Sequence, residues 1–535
     1  MKRPNILWIS FEDTNPFYGC YGDTVARTPN LDRLAGQGCI WPRAYSTAGV
    51  CAPARSAVIT GMYPISIGTH HMRTAHTNQA TPEMPTPYSA VVPHYVRCFS
   101  EYFRAAGYWC SNNVKTDYQF DPPVTAWDEL SNKAHWRNRP DPDQPFFAVF
   151  NPTRTHESCQ WPEQTPQPTF NPDDIQLPPC FPDTPEVRLA MARMYTRIEE
   201  SDTELGQLLA QLEEDSLAEN TIVVHWSDHG PLPRGKRWPY DSGIHVPMIV
   251  RWPGQLEPGS RSDDLVSTVD LGPTMLSCAG LEIPRYMQGQ AFLGPGKAPP
   301  RRYVYATRDR YDESYDCVRA VRDKRYKYIR NNYPLSERLL WVPYRNRHPI
   351  IQELYRLEAA DLLNEAQKLM FRYPRPAEEL YDTETDPHEL HNLAGKPQLA
   401  DTLQRMRDAL ADWIDRVGDM GEIDEAQMVR QWYPQGKQPT TARPVAIPIS
   451  QENPGIEPAQ GACELAGPAL LQLHCATQGA SIAWTTETGD DPHWQLYTRA
   501  IRLQGGQTRL RAKAIRIGYA ESPEAAWDLQ IKETS

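Results

Sequence analysis

The chain has 535 residues, 40% of them hydrophobic and 23% charged, with 51 prolines and a formal net charge of −12. That length supplies core for roughly two to four domains, and the composition is that of an ordinary globular protein rich in ordered loops. The acidic balance argues against nucleic acid or an anionic membrane as partner, and leaves room for a small anionic ligand in a locally cationic cleft. No run of about 18 apolar residues is present to span a membrane.

Met1-Lys2-Arg3-Pro4 leads straight into Asn5-Ile6-Leu7-Trp8-Ile9, a run too short for a secretory leader and with no small-residue cleavage site behind it. A cytoplasmic location is expected, with periplasmic or secreted export as the alternative. Asn5 to Ser10 reads as a buried strand ending at Glu12-Asp13. Thr28 then reads as an N-cap with Pro29 at the first helical position, and Gly36 and Gly38 end that helix. Phe146 to Phe150 is a second buried strand. Thr184-Pro185 opens a long helix to about Leu212, with apolar residues at helical spacing from Val187 onward. Thr221 to Trp226 is a strand ending at Asp228-His229-Gly230, and Val246 to Val250 is another. Strands alternating with helices predict an α/β domain with a mostly parallel sheet, whose ligands bind beyond the carboxyl ends of the strands.

From about residue 300 the pattern changes. Val318 to Arg322, Tyr326 to Ile329 and Glu379 to Asp382 alternate like a smaller antiparallel sheet, followed by an amphipathic helix from Leu403 to Val417. Five prolines between 436 and 460 predict a semi-rigid tether. Ser481 to Thr485 and Thr508 to Ala514 alternate again, with glycine-rich turns between, and predict a small all-β sandwich. The expected domains are therefore 1–300, 301–435, a linker at 436–460, and 461–535. The 11 cysteines, from Cys20 to Cys475, form no CxxC pair and, Cys51 apart, are expected to be free thiols.

Three of these strands end near polar groups: Glu12-Asp13, His156 a little further on, and Asp228-His229. The strongest local signal is Cys51-Ala52-Pro53-Ala54-Arg55, followed by Thr60-Gly61. Here the chain resembles the formylglycine sulfatases of the alkaline-phosphatase-like superfamily, whose signature is Cys or Ser-x-Pro-x-Arg with Thr-Gly shortly after. Pro4-Asn5-Ile6-Leu7, Asp228-His229-Gly230, Gly243-Ile244-His245-Val246-Pro247 and Glu379-Leu380-Tyr381-Asp382 extend the resemblance from residue 4 to about 395.

The resemblance implies an alkaline-phosphatase-like α/β fold, with a smaller antiparallel C-terminal subdomain and the appended β-sandwich. It implies a maturation enzyme that oxidises Cys51 to formylglycine, and a metal, Ca2+ before Mg2+, held by Glu12, Asp13, Asp228 and His229. In the implied mechanism the hydrated aldehyde attacks sulfur, carries the sulfate as a covalent ester and releases it by elimination. Arg55 would hold the formylglycine, Lys115 and Lys236 would grip the sulfate oxygens, and His156 would act as general acid toward the leaving alcohol. Asp117 stands where the family carries a histidine near the formylglycine; either it acts as the base that collapses the intermediate or another group does. His70, His71 and Arg73 line the substrate pocket or, equally, are loop residues bonded to nearby backbone. The segment Ala480 to Thr486 with Leu510 to Ala514 looks like the β-sandwich appended to chitobiase and hexosaminidase-type enzymes.

The expected function is hydrolysis of a sulfate ester or sulfamate on a sulfated carbohydrate, nearest in pattern to the heparan N-sulfatase side of the family. The alternatives are a phosphonate or phosphodiester hydrolase of the same superfamily, and a carbohydrate-binding protein without catalysis.

Overall fold

The computed structural model describes residues 3–74, 78–85, 87–450, 452–503 and 505–532; the opening Met1-Lys2 lies outside them. The chain divides into two compact units, one of residues 1–86, 114–119 and 148–422, the other of 87–113, 120–147 and 423–535.

The first unit is built on a mixed sheet. Its strands run in the order Phe146–Phe150 (from Ala148 onward in this unit), Asn5–Phe11, Thr221–Ser227, Met248–Arg251, Cys39–Ile40, Ser260–Arg261. Asn5–Phe11 and Thr221–Ser227 are uniformly buried and pair in parallel, with Asn5 opposite Thr221 and Phe11 opposite Ser227. Such unbroken burial is why both read as continuous apolar runs and not as alternating ones. Met248–Arg251 runs antiparallel to both its neighbours, because the chain returns along the sheet after only a short excursion beyond Ser227.

Helix Pro29–Gln37 starts at Thr28 as expected, but the Thr28 hydroxyl does not cap it. It accepts instead from the Gly19 amide at 3.0 Å. The long helix spans Pro185–Glu214, and here the Thr184 side chain does accept from the Val187 amide. Within the same unit, Val304–Arg308, Val318–Arg322, Tyr326–Asn331 and Glu378–Asp382 form an antiparallel sheet. Helix Ala400–Val417 lies on this sheet and buries Leu403, Met406, Leu410 and Trp413 against Tyr305, Val321 and Leu380. Ala57 of helix Cys51–Thr60 belongs to the same core, so the helix that begins at Cys51 is anchored from behind.

In the second unit, a three-stranded and a five-stranded sheet enclose one core, with Ala446, Leu471 and Leu503 from the first and Leu510, Trp527 and Leu529 from the second. The stretch expected to be a tether contributes a strand, Val445–Ile449, at the edge of the three-stranded sheet. Its Pro448 is tolerated there because an edge strand has no ladder partner on one side. All 11 cysteines are free thiols. Among the described residues no helix is long and apolar enough to cross a membrane.

Trp413 is fully buried, stacked on Tyr305 at 4.5 Å between ring centroids and met edge-on by Tyr63 at 4.9 Å. Trp413→Ala is expected to destabilise the first unit by about 3–5 kcal/mol, read as a lowered denaturant midpoint.

Candidate active site

The site forms where strands end. Because Phe11 and Ser227 are register partners, the next residues, Glu12-Asp13 and Asp228-His229, leave the sheet side by side. The Asp13 amide donates to Asp228 Oδ1 at 3.1 Å, locking the two turns together. Asn151, just past Phe150, accepts from Ser10 Oγ at 2.5 Å and from Arg55 Nη1 at 3.2 Å, and its amide donates to the Lys115 carbonyl. Four chain segments are thus tied at one point.

Cys51 is the first residue of helix Cys51–Thr60, every residue of which is buried. Its side chain therefore sits at the helix end where unpaired amides favour negative charge. Close behind it, a β-carbon on Gly49 would meet the Trp238 carbonyl oxygen at 2.6 Å, so this approach requires glycine. Cys51 Sγ lies 3.1 Å from His229 Nε2 and 3.9 Å from both Glu12 Oε1 and Asp13 Oδ1. Burial pushes its thiol well above the usual range; Lys236 opposes this, while Asp13, Asp228 and Asp117 add to it. As a thiol, Cys51 is held protonated and is a poor nucleophile.

Asp13, Cys51, Asp228 and His229 each offer a donor atom, and these atoms all lie within 4.8 Å of one another. Ligands on opposite sides of one Ca2+ are separated by roughly 5 Å, so the cluster has the size of a single coordination sphere. His229 Nδ1 lies 3.0 Å from the Gly230 carbonyl oxygen. If Nδ1 carries the ring proton and donates there, the Nε2 lone pair faces Asp13 Oδ1 at 3.1 Å, an opposition that a cation relieves. Glu12 stands beside this group, its carboxylate against the Lys115 ammonium.

The anions are matched by cations. Arg55 Nε donates to Asp228 Oδ2 at 2.9 Å, and Arg55 Nη2 is buried with no protein partner among the described residues. Although burial alone raises it, the Asp228 carboxyl is held far below its ordinary range by His229, Arg55 and Lys115. Lys236 Nζ contacts Asp13 Oδ2 and lies 3.3 Å from Glu157 Oε1; burial disfavours its charge, but Asp13 and Glu157 hold it well above the usual lysine range. Lys115 also pairs with Asp117 at 3.3 Å. Burial raises the Asp117 carboxyl, but Lys115, Arg55 and Arg73 outweigh it and keep the group below its usual range, which makes it a weak base.

His156 Nδ1 lies 3.0 Å from Ser158 Oγ and accepts from the Ser158 amide at 3.4 Å, contacts that suit the tautomer with its ring proton on Nε2. Burial and then Lys236 lower it to about 4, so at neutral pH the ring is an uncharged donor. Asp117 and Arg73 line a cavity of about 600 Å3 beside Ala52, together with Asp312, Glu313, Tyr344 and Arg347. His70 and His71 do not reach its wall. Both are buried, and His71 Nδ1 accepts from the Arg310 amide at 3.2 Å.

Sequence reasoning missed Glu157 and Arg237, the immediate neighbours of His156 and Lys236. Arg237 donates to Glu157 through both terminal nitrogens, at 2.6 and 3.1 Å, and to the Tyr311 hydroxyl at 3.0 Å. The Glu157 amide donates to Asp13 Oδ2 at 2.6 Å. Asp13, Arg73, Asp117, Arg237 and Asp312 all have positive φ between 45° and 81°. Non-glycine residues rarely adopt this region; Arg73, Asp117 and Asp312 line the cavity and Asp13 and Arg237 belong to the ionic cluster, which marks a place where geometry is held against local preference.

The chain is similar to known proteins. A family profile described as "Sulfatase" matches residues 4–281, and one described as "N-sulphoglucosamine sulphohydrolase, C-terminal" matches 229–341. An ulvan-active sulfatase of Formosa agariphila is 42% identical over 562 residues, covering 97% of this chain and 90% of the relative. The N-sulphoglucosamine sulphohydrolase of Homo sapiens is 26% identical, covering 77% of this chain and 90% of that protein. The solved structure of a 2-O GAG sulfatase superposes with a TM-score of 0.58 at 21% identity, covering 78% of this chain and 93% of the other.

Glu157→Ala is expected to cost about 3–5 kcal/mol, because it strands the buried Arg237 and Lys236. Chemical denaturation measures this, and Glu157→Gln, which keeps an acceptor, is expected to recover part of the loss.

Proposed function

The chain belongs to the sulfatase family of sulfuric ester hydrolases, and from that membership we propose that it removes sulfate from a sulfated oligo- or polysaccharide. The observation that carries this reading is the buried convergence of Cys51 with Asp13, Asp228 and His229, flanked by Arg55 and Lys236. The family uses formylglycine and a divalent metal. We assign the formylglycine to Cys51, matured by a dedicated oxidising enzyme, and the metal, Ca2+ before Mg2+, to Asp13, Asp228 and His229 with Glu12 alongside. When bound, the cation supplies a Lewis acid that polarises sulfate oxygens and favours an anionic nucleophile at position 51.

The chain's own residues do the rest. Arg55 holds Asp228 in place and has its buried Nη2 left for an oxyanion. Lys236 and Lys115 are the two ammonium groups at the cluster; both lie against its carboxylates and are placed to turn to the sulfate as negative charge grows there. His156 presents an uncharged Nε2–H to the leaving oxygen. Asp117, a weak base bound to Lys115, orients that lysine.

A second reading, a phosphonate or phosphodiester hydrolase built on the same site, predicts the opposite substrate preference. Kinetics on matched sulfate and phosphodiester substrates tell the two apart. Because one relative is named as active on ulvan, sulfated ulvan fragments head the panel, with an N-sulfated glucosamine to separate sulfate from sulfamate cleavage.

In the tryptic peptide from Ala44 to Arg55, residue 51 of protein made in its native host is expected to have exchanged sulfur for oxygen and lost two hydrogens. A plain thiol throughout active protein would sink the mechanism. His156→Ala is expected to lower kcat about 10^2- to 10^4-fold on sulfated sugar. Chelation is expected to abolish sulfate release, with Ca2+ restoring it.

A further inference from the structure

The cavity beside Ala52 is walled by Asp312, Glu313, Pro343 and Tyr344. Immediately outside these residues the chain carries two large aromatic side chains that the fold leaves half in water: Tyr315, 45% exposed, and Trp341, 49% exposed. Scattered single exposures of this kind are normal on any protein. These two are not scattered. Ser314, between Glu313 and Tyr315, donates its hydroxyl to the Trp341 carbonyl oxygen at 2.5 Å, which fixes the two segments side by side. Tyr311 and Ser314 exchange backbone hydrogen bonds at 2.9 and 3.0 Å, so the turn that carries Asp312 and Glu313 is closed. The Tyr315 ring also meets His71 edge-on at 6.5 Å, just before the wall residues Met72 and Arg73. Both rings are therefore carried by segments continuous with the cavity wall, on backbone that is held in place.

A pyranose ring has an apolar face of axial C–H bonds and an equator of hydroxyls. An aromatic ring can bury that face while the hydroxyls stay in water, and rigid Tyr and Trp do so with little loss of conformational freedom. We propose that Tyr315 and Trp341 form a stacking platform for the sugar unit adjoining the sulfated one, so that the chain recognises an oligosaccharide and not a lone sulfated sugar. This rests on the reading of the cavity as the place where a sulfated carbohydrate is bound. The occupant is argued from continuity: the platform residues lie two positions beyond Glu313 and two before Pro343. Because the platform is uncharged, its contribution is insensitive to salt, unlike that of Arg73 or Arg347.

The test uses the metal-loaded, full-length protein with a sulfated tetrasaccharide, the matching sulfated monosaccharide and 4-nitrophenyl sulfate. The tetrasaccharide is expected to have the higher kcat/KM of the two sugars. Tyr315→Ala and Trp341→Ala are each expected to lower the tetrasaccharide-to-monosaccharide ratio about tenfold, through KM, while Tyr315→Phe and Trp341→Phe keep it. A ratio unchanged in the double alanine variant overturns the proposal. Calorimetry with the desulfated tetrasaccharide reads the platform without turnover, and equal affinity of wild type and double variant also overturns it. If none of the three compounds releases sulfate but the desulfated tetrasaccharide binds in a Trp341-dependent way at both low and high salt, the sulfatase reading falls and the platform stands.

Discussion

Everything at the site depends on the register between two buried parallel strands, Asn5–Phe11 and Thr221–Ser227. A strand pair in register ends in register. That property alone carries Asp13 and Asp228, 215 positions apart in the chain, to within a hydrogen bond of each other. A shift of one residue would send every side chain of either strand to the opposite face and separate the two carboxylates. Burial on both faces forbids such a shift, so the hydrophobic core of the sheet sets the geometry of its most polar point.

The second constraint is charge. Glu12, Asp13, Glu157 and Asp228 are all nearly inaccessible to water, and ionised carboxylates cannot be buried without partners. Arg55, Lys115, Lys236 and Arg237 supply them. The cations that hold the acidic cluster together are thus the ones positioned to receive an anion. On the proposed function, three of these side chains, Arg55, Lys115 and Lys236, serve both the stability of the cluster and the binding of an anion, and Asp13, Asp117 and Arg237 beside them keep left-handed backbone conformations.

Much of this was legible in the sequence, for a physical reason. The strands are continuous apolar runs, and the chemistry sits on the residues directly after them, so Glu12-Asp13 and Asp228-His229 could be read as strand ends meeting. Cys51 and Arg55 share one helical turn, and local spacing decides their contact. What sequence spacing does not encode is contact between distant segments. Glu157 and Arg237 look like ordinary charged neighbours until the fold pairs them. Thr28 has the identity of a cap, yet tertiary packing gives its hydroxyl to Gly19. His70 and His71 look like loop residues, yet both are buried and neither lines the cavity. The prolines between 436 and 460 suggest a tether, while the edge position of Val445–Ile449 lets one of them sit in a strand.

The burial of the helix that begins at Cys51 also sets a deadline. With 2% of its surface exposed, residue 51 is out of reach of any other enzyme once the first unit has closed. On the proposed assignment of the formylglycine to Cys51, the enzyme that oxidises it must arrive before that unit closes, and a molecule that folds first keeps its thiol. The specific activity of a preparation is then a frozen record of a race between two rates, chain closure and oxidation. Changes that only speed the pairing of the two central strands would yield a more soluble protein with fewer working copies.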